Sequence, residues 1–470
     1  MAAVVFDKLK KNFLLDFISD VQDSDGSGNR NYYYAGIGRS EDWNDSDIAP
    51  VPRNTLREAR KARLAIQSVK NITDTTFVVP RYNWTSGAIY SAYDDNTQGY
   101  PTNPFYVMND NQQVYICLQQ GKTNANPPQV VASTVQPSGN TTGTAFRTAD
   151  GYMWKFLYSI GALKASKFIS SAYIPIARVQ DSSGDIIEAG ELGVDSDSPA
   201  EDVEQQLVQQ NAISGQVLGY VVTKGGSGYT TVPTVAIIGD GTDAKADATV
   251  VGGAVVKITV RDSSDTTIAF GSGYNYAQVK ITGGGGDSAE ARAIIGPPEG
   301  LGFDAREDLK SSALMFNTKP SGDEDGDFVI GQDFRQISLL RNIKIQDSEG
   351  LFTEETGLGL KRLQLTSISD GPFVKDIIVE GGTSLARGYV DDVDSNSIYY
   401  HQNDSTGFGV FDSGETISIV VGGGSTTATV SKVLKGVFDP MSGELLYIDN
   451  RAAVFRSADQ TEDIKIVVQL

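Results

Sequence analysis

Val437 to Leu470, VFDPMSGELLYIDNRAAVFRSADQTEDIKIVVQL, is the stretch on which the fold turns. Within it, Gly443 to Arg451 reads as a strand closing on Asp449-Asn450. After Asp459-Gln460-Thr461-Glu462 the apolar residues alternate strictly, with Ile464, Ile466, Val468 and Leu470 on one side and Lys465, Val467 and Gln469 on the other. Burying those four aliphatic side chains would contribute roughly 6 to 12 kcal/mol at about 1.5 to 3 each. That is enough to hold the terminus in a sheet whose other strands come from far earlier in the chain. The pattern therefore predicts a closing strand and a fold that needs the whole sequence.

The chain has 470 residues, 40% apolar and 9% aromatic, which is globular material with room for two to four domains. Lysine and arginine number 39 against 59 acids, so the net charge is 39 minus 59, or -20. This balance argues against a nucleic-acid-binding surface, because phosphate contacts are made chiefly by Lys and Arg. It suits a protein that must not associate indiscriminately. Fifty glycines with frequent Asn, Asp and Ser clusters indicate many turns between short strands, and only two stretches look helical. The expected class is mainly β and multi-domain. The single cysteine, Cys117, lies in the apolar run Val114 to Leu118 and reads as a small core residue, since it can close neither an internal disulfide nor a zinc knuckle. Val4 to Phe6 is too short for a signal-peptide core and is followed by Lys8, Lys10 and Lys11. No run reaches the roughly 18 apolar residues of a membrane helix. The expectation is a protein made and folded in the cytoplasm.

Phe6 to Val21 carries Phe6, Leu9, Phe13, Leu14, Phe17 and Ile18 at helical spacing. The acidic turn Asp23 to Asn29 ends the pattern, and with Tyr34 where a calcium loop needs its twelfth-position glutamate it reads as a plain turn. Gly36-Ile37-Gly38 is not a dinucleotide fingerprint, because the third glycine is missing and no helix follows directly. Asn54 to Val69 is the second expected helix, with Asn54 as its cap. Its Arg57, Arg60, Lys61 and Arg63 form the strongest basic cluster in an acidic chain, either a solvated face or a docking site for an acidic partner. Tyr106 to Met108 and Val114 to Leu118, with Asn109-Asp110-Asn111 between them, look like a hairpin. From Val179 to Thr223 there is no basic residue while acids accumulate, which predicts an exposed linker with one short helix.

Beyond that boundary the sequence repeats. Gly226-Ser227-Gly228-Tyr229 recurs as Gly271-Ser272-Gly273-Tyr274, and the alternating Ala244, Ala246 and Ala248 recur as Ala289, Ala291 and Ala293, both 45 residues on. Each copy continues into a short strand, Val235 and Ile237 in the first and Val279 and Ile281 in the second. Two copies pairing into one small β domain over 215–300 follow from this. Gly283 to Gly286 is no phosphate loop, since no Gly-Lys-Ser/Thr follows. A second insertion-like block over 371–435 offers five short strands joined by tight turns, the pattern of a small barrel. The remainder, 1–214 with 301–370 and 436–470, forms a discontinuous β core with a few helices, interrupted by these two inserted small β domains.

Nothing in the chain announces catalysis. The one histidine, His401, stands in an acidic, serine-rich turn and reads as a surface residue, so a Ser-His-Asp or Cys-His arrangement has no base of that kind. Paired carboxylates remain possible among the 59 acids, but the sequence does not choose two of them. No cofactor or metal ligand set is expected. The residues that do stand out, Trp43, Trp84 and Trp154 with Arg39, Arg81 and Arg335, suit buried aromatic anchors and fixed hydrogen bonds.

Seven segments taken together carry a resemblance: Gly38-Arg-Ser-Glu-Asp-Trp43, Val79-Pro-Arg-Tyr-Asn-Trp84, Val114-Tyr-Ile-Cys-Leu118, Asp150-Gly-Tyr-Met-Trp154, Phe334-Arg-Gln-Ile-Ser338, Ser442 to Arg451 with Tyr447 inside it, and Asp459 to Ile464. In this order they resemble the successive signatures of the baseplate wedge subunit encoded by gene eight in T4-like contractile-tailed bacteriophages. The resemblance covers roughly 1–180, 303–345 and 436–470, and not the two inserted blocks. It implies a mostly β, multi-domain virion protein without catalysis, located in the tail baseplate. It also implies a homodimer that joins other wedge proteins, among them the products of genes six, seven and ten, in an assembly that rearranges when the tail contracts. A tail-associated glycan-binding or depolymerase protein is the alternative, because glycine-tyrosine repeats and small β insertions also decorate receptor-binding proteins.

Overall fold

The computed structural model describes residues 6–22, 30–44, 46–180, 187, 191–194, 197–263 and 267–470. The acidic turn Asp23 to Asn29 lies outside them. Strands dominate, and the fold is mainly β with several separate sheets and a few helices, of which Asp7–Gln22, where the apolar spacing predicts one, is the longest among the described residues. The chain divides into two compact units, each assembled from distant pieces. One comprises Met1–Leu14, Thr76–Leu314 and Val468–Leu470, the other Leu15–Thr75 and Met315–Val467. The stretches that read as one discontinuous core contribute to both.

The second unit is built on a five-stranded antiparallel sheet in the order Thr356–Leu358, Ile66–Asn71, Tyr33–Gly38, Gln332–Arg341, Glu444–Arg456. The strand expected from Gly443 to Arg451 is thus real and runs further, to Arg456. The second expected helix is shorter than its apolar spacing suggested. It spans Leu56–Leu64, and its cap is not Asn54 but Thr55, whose hydroxyl accepts the Glu58 N–H at 3.2 Å. Ile66 and Val69 belong instead to the strand that pairs with Tyr33–Gly38. The switch is fixed at Gly38, where a Cβ would lie 2.0 Å from the Ala65 carbonyl oxygen. Only glycine lets the two backbones meet there.

The terminal strand runs over Ile464–Gln469 beside Ala313–Thr318. Ile464 and Ile466 are buried as the alternation requires, but Val468 is only partly covered and Leu470 is 50% exposed. Two of the four side chains therefore supply the burial, about 3 to 6 kcal/mol rather than twice that.

Residues 361–434 close into a six-stranded barrel, Lys361–Ser369, Ser397–His401, Arg387–Asp394, Ile378–Gly381, Thr416–Val421 and Thr427–Leu434 in spatial order. Five of these strands were legible in the sequence. The sixth, Lys361–Ser369, precedes the expected block and pairs on both sides, with Ser397–His401 and Thr427–Leu434.

In the first unit the hairpin of Tyr106–Met108 and Gln113–Gln119 is present, with Tyr106 opposite Ile116, and Met153–Ser159 pairs beyond it. Its core holds Cys117 and Trp154, both fully buried, with Tyr90, Tyr152 and Phe156. The acid-rich boundary contains the expected short helix, Ala200–Gln210, and among the described residues ahead of it Glu191, Leu192 and Gly193 are exposed, but the helix itself is packed against the core. Val208 enters the same core, and Gln205 and Gln209 are buried with it.

In the repeat block equivalent strands of the two copies pair with each other: Val235 lies opposite Ile281 and Ile237 opposite Val279. The first glycine of each Gly-Ser-Gly-Tyr adopts a left-handed conformation, with φ of 64° at Gly226 and 66° at Gly271. The two tyrosines are exchanged. Tyr274 covers Gly241 of the first copy, where a Cβ would meet its ring at 2.4 Å, and Tyr229 covers Gly286 of the second at 2.6 Å. Gly241 and Gly286 are themselves 45 residues apart. The alternating alanines Ala246 and Ala248, with Ala289, Ala291 and Ala293, line the shared core.

Candidate interaction surface

Five residues of the quoted segments lie in the second unit, Arg39, Trp43, Arg335, Tyr447 and Arg451. After Gly38 the chain turns through Arg39, whose φ is 62° and whose N–H donates to the Ala65 carbonyl at 2.9 Å. That turn lays the Arg39 guanidinium over the Trp43 ring at 4.1 Å and within 3.3 Å of the Glu41 carboxylate. Trp43 donates its indole N–H to the Arg451 carbonyl at 2.9 Å, and the Arg451 side chain pairs with Asp449 at 3.0 Å. Arg335 sits beneath the loop, 5% exposed, and holds Asp42 at 2.6 Å, Asp47 at 2.8 Å and Asp333 at 3.2 Å. Tyr447 is half-buried on the same strand as Arg451, and burial pushes its hydroxyl pKa up. Segments separated by roughly 300 to 400 positions are thus tied together by charge and hydrogen bonds.

The other three signature residues lie in the first unit. Arg81 donates to the Ser170 carbonyl at 2.9 Å and to Asn83 at 3.0 Å. Trp84 donates to the Ser133 hydroxyl at 3.1 Å. Trp154 stacks on Tyr152 with ring centroids 5.7 Å apart. They fix loops and core.

The basic helix divides its charges. Arg57 and Lys61 both reach Asp404 of the barrel, at 3.0 and 2.9 Å. Arg63 turns the other way and donates to the carbonyls of Pro440, Ser442 and Gly443 at 2.5 to 2.9 Å. Arg60 is exposed and makes no ion pair or hydrogen bond among the described residues. Of the four expected partner-binding cations, Arg63 is committed to the chain itself. Arg57, Arg60 and Lys61 remain on an exposed face, balanced there by a single exposed carboxylate.

Beside this helix opens a cavity of about 300 Å³ lined by Arg39, Glu41, Lys61, Asn403 and Asp404 among others. His401 lies behind it, and here the expectation of a surface histidine is overturned: the residue is 4% exposed. Ile398 and Tyr400 point into the barrel core, so His401 points out of the barrel. The loop after Tyr33–Gly38 covers it, a contact that the alternation could not reveal. Its Nδ1 lies 2.8 Å from Asp391 and its Nε2 3.2 Å from Glu41. Asp391, fully buried, also accepts hydrogen bonds from Ser40 and from Gln67 at 3.1 Å. Burial disfavours the charged imidazole, but the Asp391 and Glu41 carboxylates outweigh it and raise its pKa to about 10. Burial likewise opposes ionisation of Glu41, which His401 and Arg39 nevertheless hold at about 2. Two cations, Arg39 and His401, thus neutralise two anions. An imidazole kept protonated near neutral pH serves as a structural cation rather than a general base.

No helix among the described residues is long and apolar enough to cross a membrane. No family model matches the sequence and no curated protein is detectably similar to it.

Proposed function

We propose that this chain is a structural component of a phage tail baseplate wedge, a homodimer that binds other wedge proteins and takes part in baseplate assembly and in its rearrangement during contraction. The observation that carries the reading is the meeting of Gly38 to Trp43, Phe334 to Ser338 and Ser442 to Arg451 around Arg335 and Trp43. These are family-like segments, and they are joined by the arginines and tryptophan that mark them. The exposed Arg57, Arg60 and Lys61 supply a face for an acidic neighbour in a chain that otherwise repels one. Co-expression with candidate wedge proteins tests the reading: a complex that survives purification and is weakened by Arg57→Glu with Arg60→Glu is expected. Absence of any complex with the wedge proteins of the same virion would contradict it.

One feature favours the alternative of a glycan-binding protein. In the first unit a cleft of about 550 Å³ is lined by Tyr93, Phe105, Gln119, Gln120 and Asn126 beside the repeat domain. Incubation with host polysaccharide separates the two readings, since specific binding or release of reducing ends favours the glycan role.

A further inference from the structure

The barrel over 361–434 is built as a unit of its own. Its apolar cluster, from Leu363 and Leu365 through Val379, Val390 and Ile398 to Val430, draws every member from within the barrel and none from the neighbouring sheet. The chain enters and leaves through strands that pair with each other, Arg362 opposite Leu434 and Leu363 opposite Val433. Just outside them the two connections touch at glycines, where a Cβ on Gly436 would lie 2.6 Å from the Gly359 carbonyl oxygen. Two connections lying side by side form a hinge line.

Hydrogen bonds and ion pairs hold the barrel against the sheet and its loops. His401 faces Glu41, Asp391 receives Ser40 and Gln67, and Asn403 donates to Glu41 at 3.2 Å. Further along, Gln332 donates to Asp376 at 2.8 Å and Lys375 to the Ile330 carbonyl. Arg57 and Lys61 add the exposed pairs with Asp404. An interface of this character inside one chain resembles a transient protein–protein contact. A buried ion pair of this kind specifies position more than it adds stability.

We propose that the barrel is a separable module, latched onto the five-stranded sheet by the buried Glu41–His401–Asp391 cluster and hinged at Gly359 and Gly436. Opening the latch releases it folded. The charged and titratable groups facing His401 are Asp391 and Tyr389 from the barrel and Glu41 from the sheet side, with Arg39 behind Glu41. Glu41 alone of the three latch residues lies outside the barrel, so Glu41→Ala breaks the latch and leaves the barrel interior intact. The proposal does not depend on the baseplate reading.

Hydrogen exchange of the full chain, read by mass spectrometry, tests it. In Glu41→Ala the facing loops 39–42 and 402–406 are expected to exchange about tenfold faster or more, while the six barrel strands, those around Leu363, Tyr400 and Ile417 among them, keep their protection. Gln332→Ala, which removes a neutral amide's hydrogen bonds to Asp376 and to the Asp391 carbonyl across the same face, is expected to shift the same segments by less. If barrel and interface lose protection together in Glu41→Ala, or if both variants leave the facing segments unchanged, the barrel is not a latched module.

Discussion

His401 is the residue that the sequence hid, and its titration gives the account a test. Its pKa rises from 6.5 to about 10 on folding, so its contribution to stability is complete below about pH 6.5 and is lost as pH rises through 10. Glu41 is lowered from 4.5 to about 2, so its contribution is complete above about pH 4.5 and is lost as pH falls through 2. Both are fully present only between these limits. Denaturant unfolding should therefore show stability falling between pH 6.5 and 10, and His401→Gln should remove most of that fall. At pH 6 the same substitution should cost on the order of 3 to 5 kcal/mol, because it leaves Asp391 buried without its cation. A slope unchanged by the substitution would place the pH dependence elsewhere. The signature arginines and tryptophans were legible because those residue types suit fixed contacts. His401 was not, because a polar turn and a polar strand covered by a loop read alike along the chain.

At the scale of elements, alternation identified the terminal strand, but its period cannot say where the core ends. Ile466→Ala should cost about 2 to 5 kcal/mol, while Leu470→Ala should stay within about 0.5 kcal/mol. Equal costs would show that the alternation is buried to its end. Deleting 463–470 should leave the protein insoluble or unable to join a wedge, and normal assembly would refute the closing-strand argument. The helix at Leu56–Leu64 was overextended because Ile66 and Val69 continue an apolar spacing that strand pairing then claims. In the repeat domain the 45-residue period announced the pairing of the two copies, whereas the exchange of Tyr229 and Tyr274 rests on close approaches to Gly286 and Gly241 that no local pattern shows. Gly283→Ala meets open space and should cost only the left-handed penalty of about 1 to 2 kcal/mol. Gly226→Ala places a Cβ 2.2 Å from the Asp287 carbonyl oxygen and should cost at least about twice as much. Indistinguishable thermal unfolding of the two variants would count against that packing.

For the whole molecule, composition indicated the mainly β class, and the terminal alternation with the two inserted blocks indicated a discontinuous fold, but neither indicated the grouping of distant pieces into two units, which depends on pairings that no local pattern encodes. The homodimer is expected in solution, and a monodisperse monomer by light scattering at micromolar concentration would count against it. The baseplate role itself is tested most directly by an image, at residue resolution, of the intact tail of the virion that encodes this chain. Two copies side by side in the baseplate, in contact with other wedge proteins, are expected. Finding the chain only in tail fibres or spikes, or nowhere in the tail, would contradict it.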